Sequence, residues 1–212
     1  MYWYPQRMWD GANVGIIGGG PSLHISDIKH LRERGYRLIG VNDAYRFGVD
    51  IDICFWGDGD WYFGNPLKKH PGHRSQVQAW PGLRVTIAPE CVEEPGVLGL
   101  VRWSEPGLHP LPRLHWYQSS GLSAVALAVQ LGATKVVLLG FDGKRVEGKH
   151  NWHDDNVHDV DDQVFKHHVE QSYKLIDDIK CWPNISTPSI WNCTPNSSYG
   201  SFAYAPITEV AE

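Results

Sequence analysis

The chain contains no apolar stretch of the ~18 to 20 residues that a membrane span requires. It also lacks a basic excess: 24 Asp and Glu against 19 Lys and Arg leave a net charge of −5, so no global positive field would hold nucleic acid non-specifically. Its four cysteines, at 54, 91, 181 and 193, show neither CxxC spacing nor an extracellular disulfide framework. With no charged-then-apolar segment at the start, the expectation is a cytoplasmic protein with reduced thiols, in which the sequons at Asn184, Asn192 and Asn196 carry little meaning. No internal repeat and no low-complexity tract interrupts the 212 residues, a length that fits one domain over 1–212. Nor does a G-x-S-x-G elbow surround Ser22, Ser119 or Ser120, which sets serine-hydrolase chemistry aside.

What the chain does have is an apolar run, Val14 to Ile17, that stops at Gly18-Gly19-Gly20-Pro21-Ser22. Glycines let a backbone turn sharply and approach a ligand, proline suits a first helical position, and a helix N-terminus attracts anions. The spacing matches neither the GxGxxG dinucleotide fingerprint nor a Walker loop. It reads either as a phosphate cradle or as a plain glycine turn.

Hydrophobic periodicity organises the rest. Strands are expected at Asn13 to Ile17, Arg37 to Val41, Ile51 to Trp56, Arg84 to Ala88, Lys135 to Leu139 and Ser189 to Cys193. Helices are expected from about Ser22 to Arg34, from Leu122 to Leu131 behind a Ser119-Ser120-Gly121 cap, and from about Asp161 to Ile179. Alternation of this kind predicts an α/β domain with a mostly parallel sheet. Ligands of such sheets lie outside the carboxyl ends of the strands, which would gather Gly18 to Ser22, Asn42 and Asp58 at one crevice. The stretch from about 61 to 116 is rich in proline and poor in periodicity, with eight of the 14 prolines between 64 and 112, and reads as an acceptor-binding or lid region or as a loop-rich flank.

Ten Trp and eleven His are the compositional excess, many beside Asp or Gly, as in wet aromatic clefts. The densest titratable set is His150-Asn-Trp-His153-Asp154-Asp155, followed by His158, Asp159, Asp161 and Asp162. Histidines beside carboxylates suit a general base, equally suit a divalent metal, and also occur on solvated loops ahead of helices. Asp58-Gly-Asp60 matches the short DxD pattern by which nucleotide-sugar enzymes hold a metal, and also matches an ordinary Asp-Gly turn.

Gly18-Gly-Gly-Pro-Ser-Leu23, Asn42 after a strand, Ser119-Ser-Gly121 opening an alanine-rich helix, Leu139-Gly-Phe-Asp142 and Asn192-Cys-Thr-Pro-Asn-Ser197 follow one another in a particular order. In that order the chain resembles the bacterial sialyltransferases of glycosyltransferase family 42, and the related set that includes MptE-like hydroxymethylpterin pyrophosphokinases and phage proteins. The resemblance implies a single Rossmann-like domain, a GT-A variant, in the cytoplasm of a bacterium or phage-infected host. It implies transfer of a sugar from a nucleotide-activated donor to an acceptor hydroxyl, with no metal required. The donor-binding residues would be Gly18, Gly19, Gly20, Ser22, Asn42, Asp58, Ser120, Gly121, Asp142, Lys144, Asn196 and Ser197. The base would be a histidine after the Gly-x-Asp strand: His153, favoured for the adjoining Asp154, or His158 or His150.

Tyr117 stands near the place of the family's arginine, and Lys144 and Arg145 replace a tyrosine pair, which leaves CMP-, UDP- and GDP-linked donors all open. The acceptor would be a glycan or, by analogy with the phage proteins, a hydroxymethylated base in DNA whose phosphates residues such as Lys68, Lys69 and Arg74 would contact. The alternatives are an ATP- and Mg²⁺-dependent pyrophosphokinase-like transferase, with Asp58, Asp60 and Asp142 on the metal, and a non-catalytic nucleotide-binding module. A homo-oligomer is compatible with all three.

Overall fold

The computed structural model describes residues 2–68, 70–153, 161–183 and 187–211. Its elements run β1 (Asn13–Ile17), α1 (Ile25–Glu33), β2 (Arg37–Val41), β3 (Ile53–Trp56), α2 (Gly59–Phe63), α3 (Arg74–Ala79), β4 (Leu83–Thr86), β5 (Val97–Gly99), β6 (Val101–Trp103), β7 (Arg113–His115), α4 (Ser120–Gln130), β8 (Lys135–Leu139), α5 (Asp162–Cys181), β9 (Ser189–Asn192), β10 (Ala203–Tyr204) and α6 (Ile207–Val210). Eight strands form one sheet in the order β10-β9-β8-β1-β2-β3-β4-β5, parallel at every pairing, while β6 and β7 make a separate parallel ribbon. The fold is α/β and Rossmann-like, as expected. Among the described residues, no helix is long and apolar enough to cross a membrane.

Both faces of the sheet are covered, which is why its central strands are continuously apolar. Val14, Ile16, Ile39, Val41, Ile53, Phe55, Val136 and Leu138 point into one cluster with α4 and α5. Ile17, Leu38, Val137 and Leu139 point into another, with Ile28 and Leu31 of α1 and Val210 of α6. Each such side chain, fully buried, contributes roughly 1.5–3 kcal/mol. The small residues of α4 let it lie directly on the sheet, every side chain from Leu122 to Gln130 being buried. Gly15 does the same for α1, since a Cβ there would stand 2.7 Å from Leu31 Cδ1.

Some boundaries differ from expectation for local reasons. Helix α1 begins at Ile25 rather than Ser22, because Leu23 N–H bonds to the Gly20 carbonyl in a turn and His24 is extended. Pro21 therefore precedes the helix instead of opening it. Strand β4 ends at Thr86: the Thr86 hydroxyl donates to the Trp56 carbonyl and accepts from Ala88 N–H, turning the chain out of the ladder. The region 61–116 is more ordered than its proline content implies, holding α3, β4, β5 and the β6–β7 ribbon.

Strand order reverses between β1 and β8. The chain builds outward from β1 to β5, returns through α4, and continues from β8 on the other side of β1. At this seam the loops leaving β1 and β8 touch: Gly18 N–H bonds to the Leu139 carbonyl at 2.8 Å and Gly20 N–H to the Gly140 carbonyl at 2.9 Å. A Cβ on Gly20 would lie 2.6 Å from the Gly140 oxygen and inside the Asp142 carboxylate. On Gly19 it would meet only the Asn151 Oδ1, at 3.0 Å. Gly20→Ala is thus expected to cost about 1–3 kcal/mol by overpacking, and Gly19→Ala less, read by urea unfolding. Equal stability of the two variants would contradict the close crossing of these loops.

Candidate functional site

A cleft of about 460 Å³ opens over the carboxyl ends of β1, β2, β3 and β8, at the reversal of strand order where doubly wound sheets bind ligands. Gly18, Gly19 and Gly20 form one wall, Gly140 to Lys144 the adjoining one. Here the glycines admit the neighbouring loop as well as exposing backbone. Ser22 does not line the cleft; its hydroxyl donates to Asp142 Oδ2 at 2.9 Å and so holds that carboxylate. The other oxygen, Asp142 Oδ1, is buried and accepts no hydrogen bond among the described residues. Burial raises the Asp142 carboxyl above its ordinary value of 3.8, against the opposing pull of the Ser22 bonds and Lys144.

Strand β2 runs into a 3-10 turn, Asn42–Phe47, that carries the floor of the cleft. Asn42 takes a left-handed backbone, φ 51°, which Asn tolerates better than most residues. Its Oδ1 is a second buried acceptor with no partner among the described residues. Next to it, Asp43 is only 6 % exposed and collects donors from several directions. Trp61 Nε1 donates at 2.9 Å, and Arg46 Nη1 and His73 Nε2 each lie at 3.3 Å. His153 Nε2 lies 3.6 Å from the same carboxylate.

His153 reaches Asp43 because residues 150–153 fold over the glycine loop. Trp152 N–H bonds to the Gly19 carbonyl, and the Trp152 ring packs on Phe47 with centroids 4.2 Å apart, 5.7 Å from the Arg46 guanidinium. His150 and Asn151 also face the cleft.

The opposite wall is the start of α4. Ser119 caps it, accepting from Leu122 N–H, and Ser120 Oγ accepts from Gly57 N–H at the end of β3. Ser120 and Gly121 thereby present a helix N-terminus to the cleft, a favourable place for an anion. Gln118 before it is also left-handed, φ 53°, a conformation costing about 1–3 kcal/mol and common where a site over-determines its backbone. Trp116 lines the same wall, its ring 4.9 Å from the Arg102 guanidinium. From α5, Phe165 and His168 close the side.

Most of the residues expected from the sequence meet here: Gly18, Gly19, Gly20, Asn42, Asp58, Ser120, Gly121, Asp142, Lys144, His150 and His153 all line the cleft. His158 and Asp154 lie outside the described residues. Asn196 and Ser197 do not line it; Ser197 Oγ donates to the Phe141 carbonyl and accepts from Asn192 Nδ2 and Tyr199 N–H, bracing the turn after β8 from behind. Asp58 Oδ1 caps α2 by accepting from Asp60 N–H, and Asp60 Oδ2 accepts from Asn65 Nδ2, so this pair does the local work of an Asp-Gly turn. Among the described residues, no three His, Cys, Asp or Glu are placed to hold a metal ion.

Asp43, Trp61, Trp116, Gln118, His70 and His168 were not singled out by motif. His168 carried a readable signal, a histidine on the buried side of a helix that otherwise shows apolar spacing. Asp43 carried none beyond its place after Asn42.

The class these features define is a parallel-sheet α/β protein with its cleft at the strand-order reversal. The sialyltransferase CstII from Campylobacter jejuni, solved in complex with a substrate analogue, cytidine-5'-monophosphate, is similar over 91 % of this chain and 84 % of that one, at 14 % identity and a TM-score of 0.48. No family model matches the sequence, and no curated protein does. What the cleft can do is therefore argued from its own residues.

Burial pushes His73 and His168 below the ordinary histidine value of 6.5. The unfolded chain binds protons that these buried rings refuse, so stability is fully present above pH 6.5 and falls as the pH drops below it. Asp142 has the opposite sign: its raised carboxyl favours the fold when protonated, and that contribution fades as pH rises above 3.8. The melting temperature is expected to fall between pH 7 and pH 5.5, and His168→Asn to flatten that slope, as measured by scanning fluorimetry.

Proposed function

We propose that the protein is a nucleotide-sugar-dependent glycosyltransferase of the GT-A type in which a histidine activates the acceptor hydroxyl. The observation that carries this reading is convergence: the glycine loop, the N-terminus of α4 and His153 share one cleft at the switch of strand order. The N–H groups of Ser120 and Gly121 at the start of α4 would receive the donor phosphate, and the side-chain-free glycine loop opposite would let it approach. Asn42 Oδ1 and Asp142 Oδ1, the two buried acceptors, would take hydroxyl or amino protons from the nucleoside. His153 removes the acceptor proton as the acceptor oxygen bonds to the anomeric carbon and the bond to phosphate breaks. Lys144 on the rim and the α4 dipole stabilise the charge that leaves with the nucleotide.

The walls carry Asp43, Asp58, Asp60 and Asp142 with Lys144 as the neighbouring cation, which favours an uncharged glycan over polyanionic DNA as acceptor. CMP-, UDP- and GDP-linked donors are all compatible with the cleft, and no residue in it demands a metal for this chemistry.

The test is a thermal-shift series with CMP, UDP, GDP, ADP and ATP, each with Mg²⁺ and with EDTA. One of the first three is expected to stabilise the protein in EDTA; at a hundredfold excess over Kd that is worth about 2.7 kcal/mol, roughly 5–10 °C for a chain of this size. Stabilisation by ATP or ADP with Mg²⁺ alone would replace this reading with pyrophosphoryl transfer. With the donor class known, His153→Ala is expected to lower turnover by about 10²–10⁴-fold while the nucleotide shift persists. Full turnover in that variant, with loss in His168→Ala, would move the base to α5.

A further inference from the structure

We propose that Asp43 is the positioning carboxylate of His153 and that His73 and Tyr45 stand behind it, so that Tyr45, His73, Asp43 and His153 form one polar line from the core to the cleft. The proposal rests on the reading of His153 as the base. It assigns roles to three residues that no motif marked, with the carboxylate coming from the turn after β2.

The direction of each bond follows from chemistry. The Tyr45 phenol is buried and pushed up to about 12, first by burial and then by the charge of Asp43, so it carries its proton at neutral pH. It lies 3.1 Å from His73 Nδ1. A phenol there donates, which leaves Nδ1 the acceptor and puts the ring proton on Nε2, 3.3 Å from Asp43 Oδ1. The reverse arrangement would aim a lone pair at a carboxylate. Trp61 locks the geometry twice, donating to Asp43 Oδ2 at 2.9 Å and stacking on the His73 ring at 4.7 Å and 15°.

Asp43 is thus held by Trp61, Arg46 and His73, and it is buried. A fixed carboxylate beside His153 Nε2 keeps the proton of the neutral ring on that nitrogen and leaves the basic lone pair on Nδ1. When His153 takes up the acceptor proton, the imidazolium faces a charge already in place. No proton passes to Asp43 or His73; the extra proton leaves His153 for solvent after the nucleotide departs. Among the described residues, the charged and titratable groups around this line include Arg46, which pairs with Asp43, His70, whose ring packs 5.5 Å from His73, and the buried Cys54, which faces both Asp43 and Tyr45.

The experiment is a pH titration of ¹⁵N-histidine-labelled protein by NMR, which reads tautomer and titration of each ring without a substrate. In the native protein His153 is expected as the Nε2–H tautomer, and Asp43→Asn is expected to move its titration down by about one unit or more, the effect of losing a nearby opposite charge. Tyr45→Phe, which leaves the carboxylate intact, is expected to release His73 into a mixture of tautomers while moving His153 by less. A nucleotide-induced thermal shift in both variants would verify the fold. Titration of His153 unchanged in Asp43→Asn, or His73 as Nδ1–H in the native protein, would overturn the proposal. These outcomes are independent of turnover in His153→Ala, so the base assignment and its positioning network can fail separately.

Discussion

The crossing of two loops at the seam between β1 and β8 is the constraint on which the rest of the molecule depends. Parallel neighbours send their chains out of the same end of the sheet, and at the switch point the two exits compete for one space. Here they are reconciled by hydrogen atoms where side chains would be: Gly18 and Gly20 abut the Gly140 carbonyl, and Gly20 N–H bonds to it. Because the loops touch, Ser22 reaches Asp142, Trp152 reaches Gly19, and the segment bearing His150 and His153 lies across the cleft instead of away from it. The bracing by Asn192 and Ser197 belongs to the same junction, since both hold the Phe141 carbonyl.

Carboxylates on this cleft fall into two groups, distinguished by what satisfies them. Asp58 and Asp60 accept from a helix N-terminus and from Asn65, bonds local in sequence that a turn would form with or without a ligand. Asp43 and Asp142 are buried, and apart from Arg46 beside Asp43 the partners named for them come from distant segments. Burying a carboxylate costs several kcal/mol unless its lone pairs are met. Asp43 meets that cost through Trp61, Arg46 and His73, whereas Asp142 meets it in part, through Ser22, and leaves one buried oxygen without a hydrogen bond among the described residues.

The frame was largely legible from the chain. Asn13 to Ile17, Arg37 to Val41 and Lys135 to Leu139 were bounded correctly because buried parallel strands are apolar on both faces and end at glycine or polar turns. The Ser119 cap and the glycine run marked which strand ends would line the cleft. Where expectation and structure part, at Ser22, Asn196 and Ser197, a side chain that could face a ligand instead bonds to, or lies beside, a segment remote in sequence. No local pattern records that choice.

The sequence by itself determined the alternating strands and helices, the parallel sheet and the cleft at its glycine-bearing ends, because these follow from hydrophobic period and turn chemistry acting over a few residues. Only the tertiary structure decided which groups work together. No motif links Asp43 to His153, yet the fold brings that carboxylate from the end of β2 to 3.6 Å from His153 Nε2. Burial energy set that pairing: Asp43 is stable inside only where Trp61, Arg46 and His73 converge, and convergence is a property of packed elements, not of neighbouring letters.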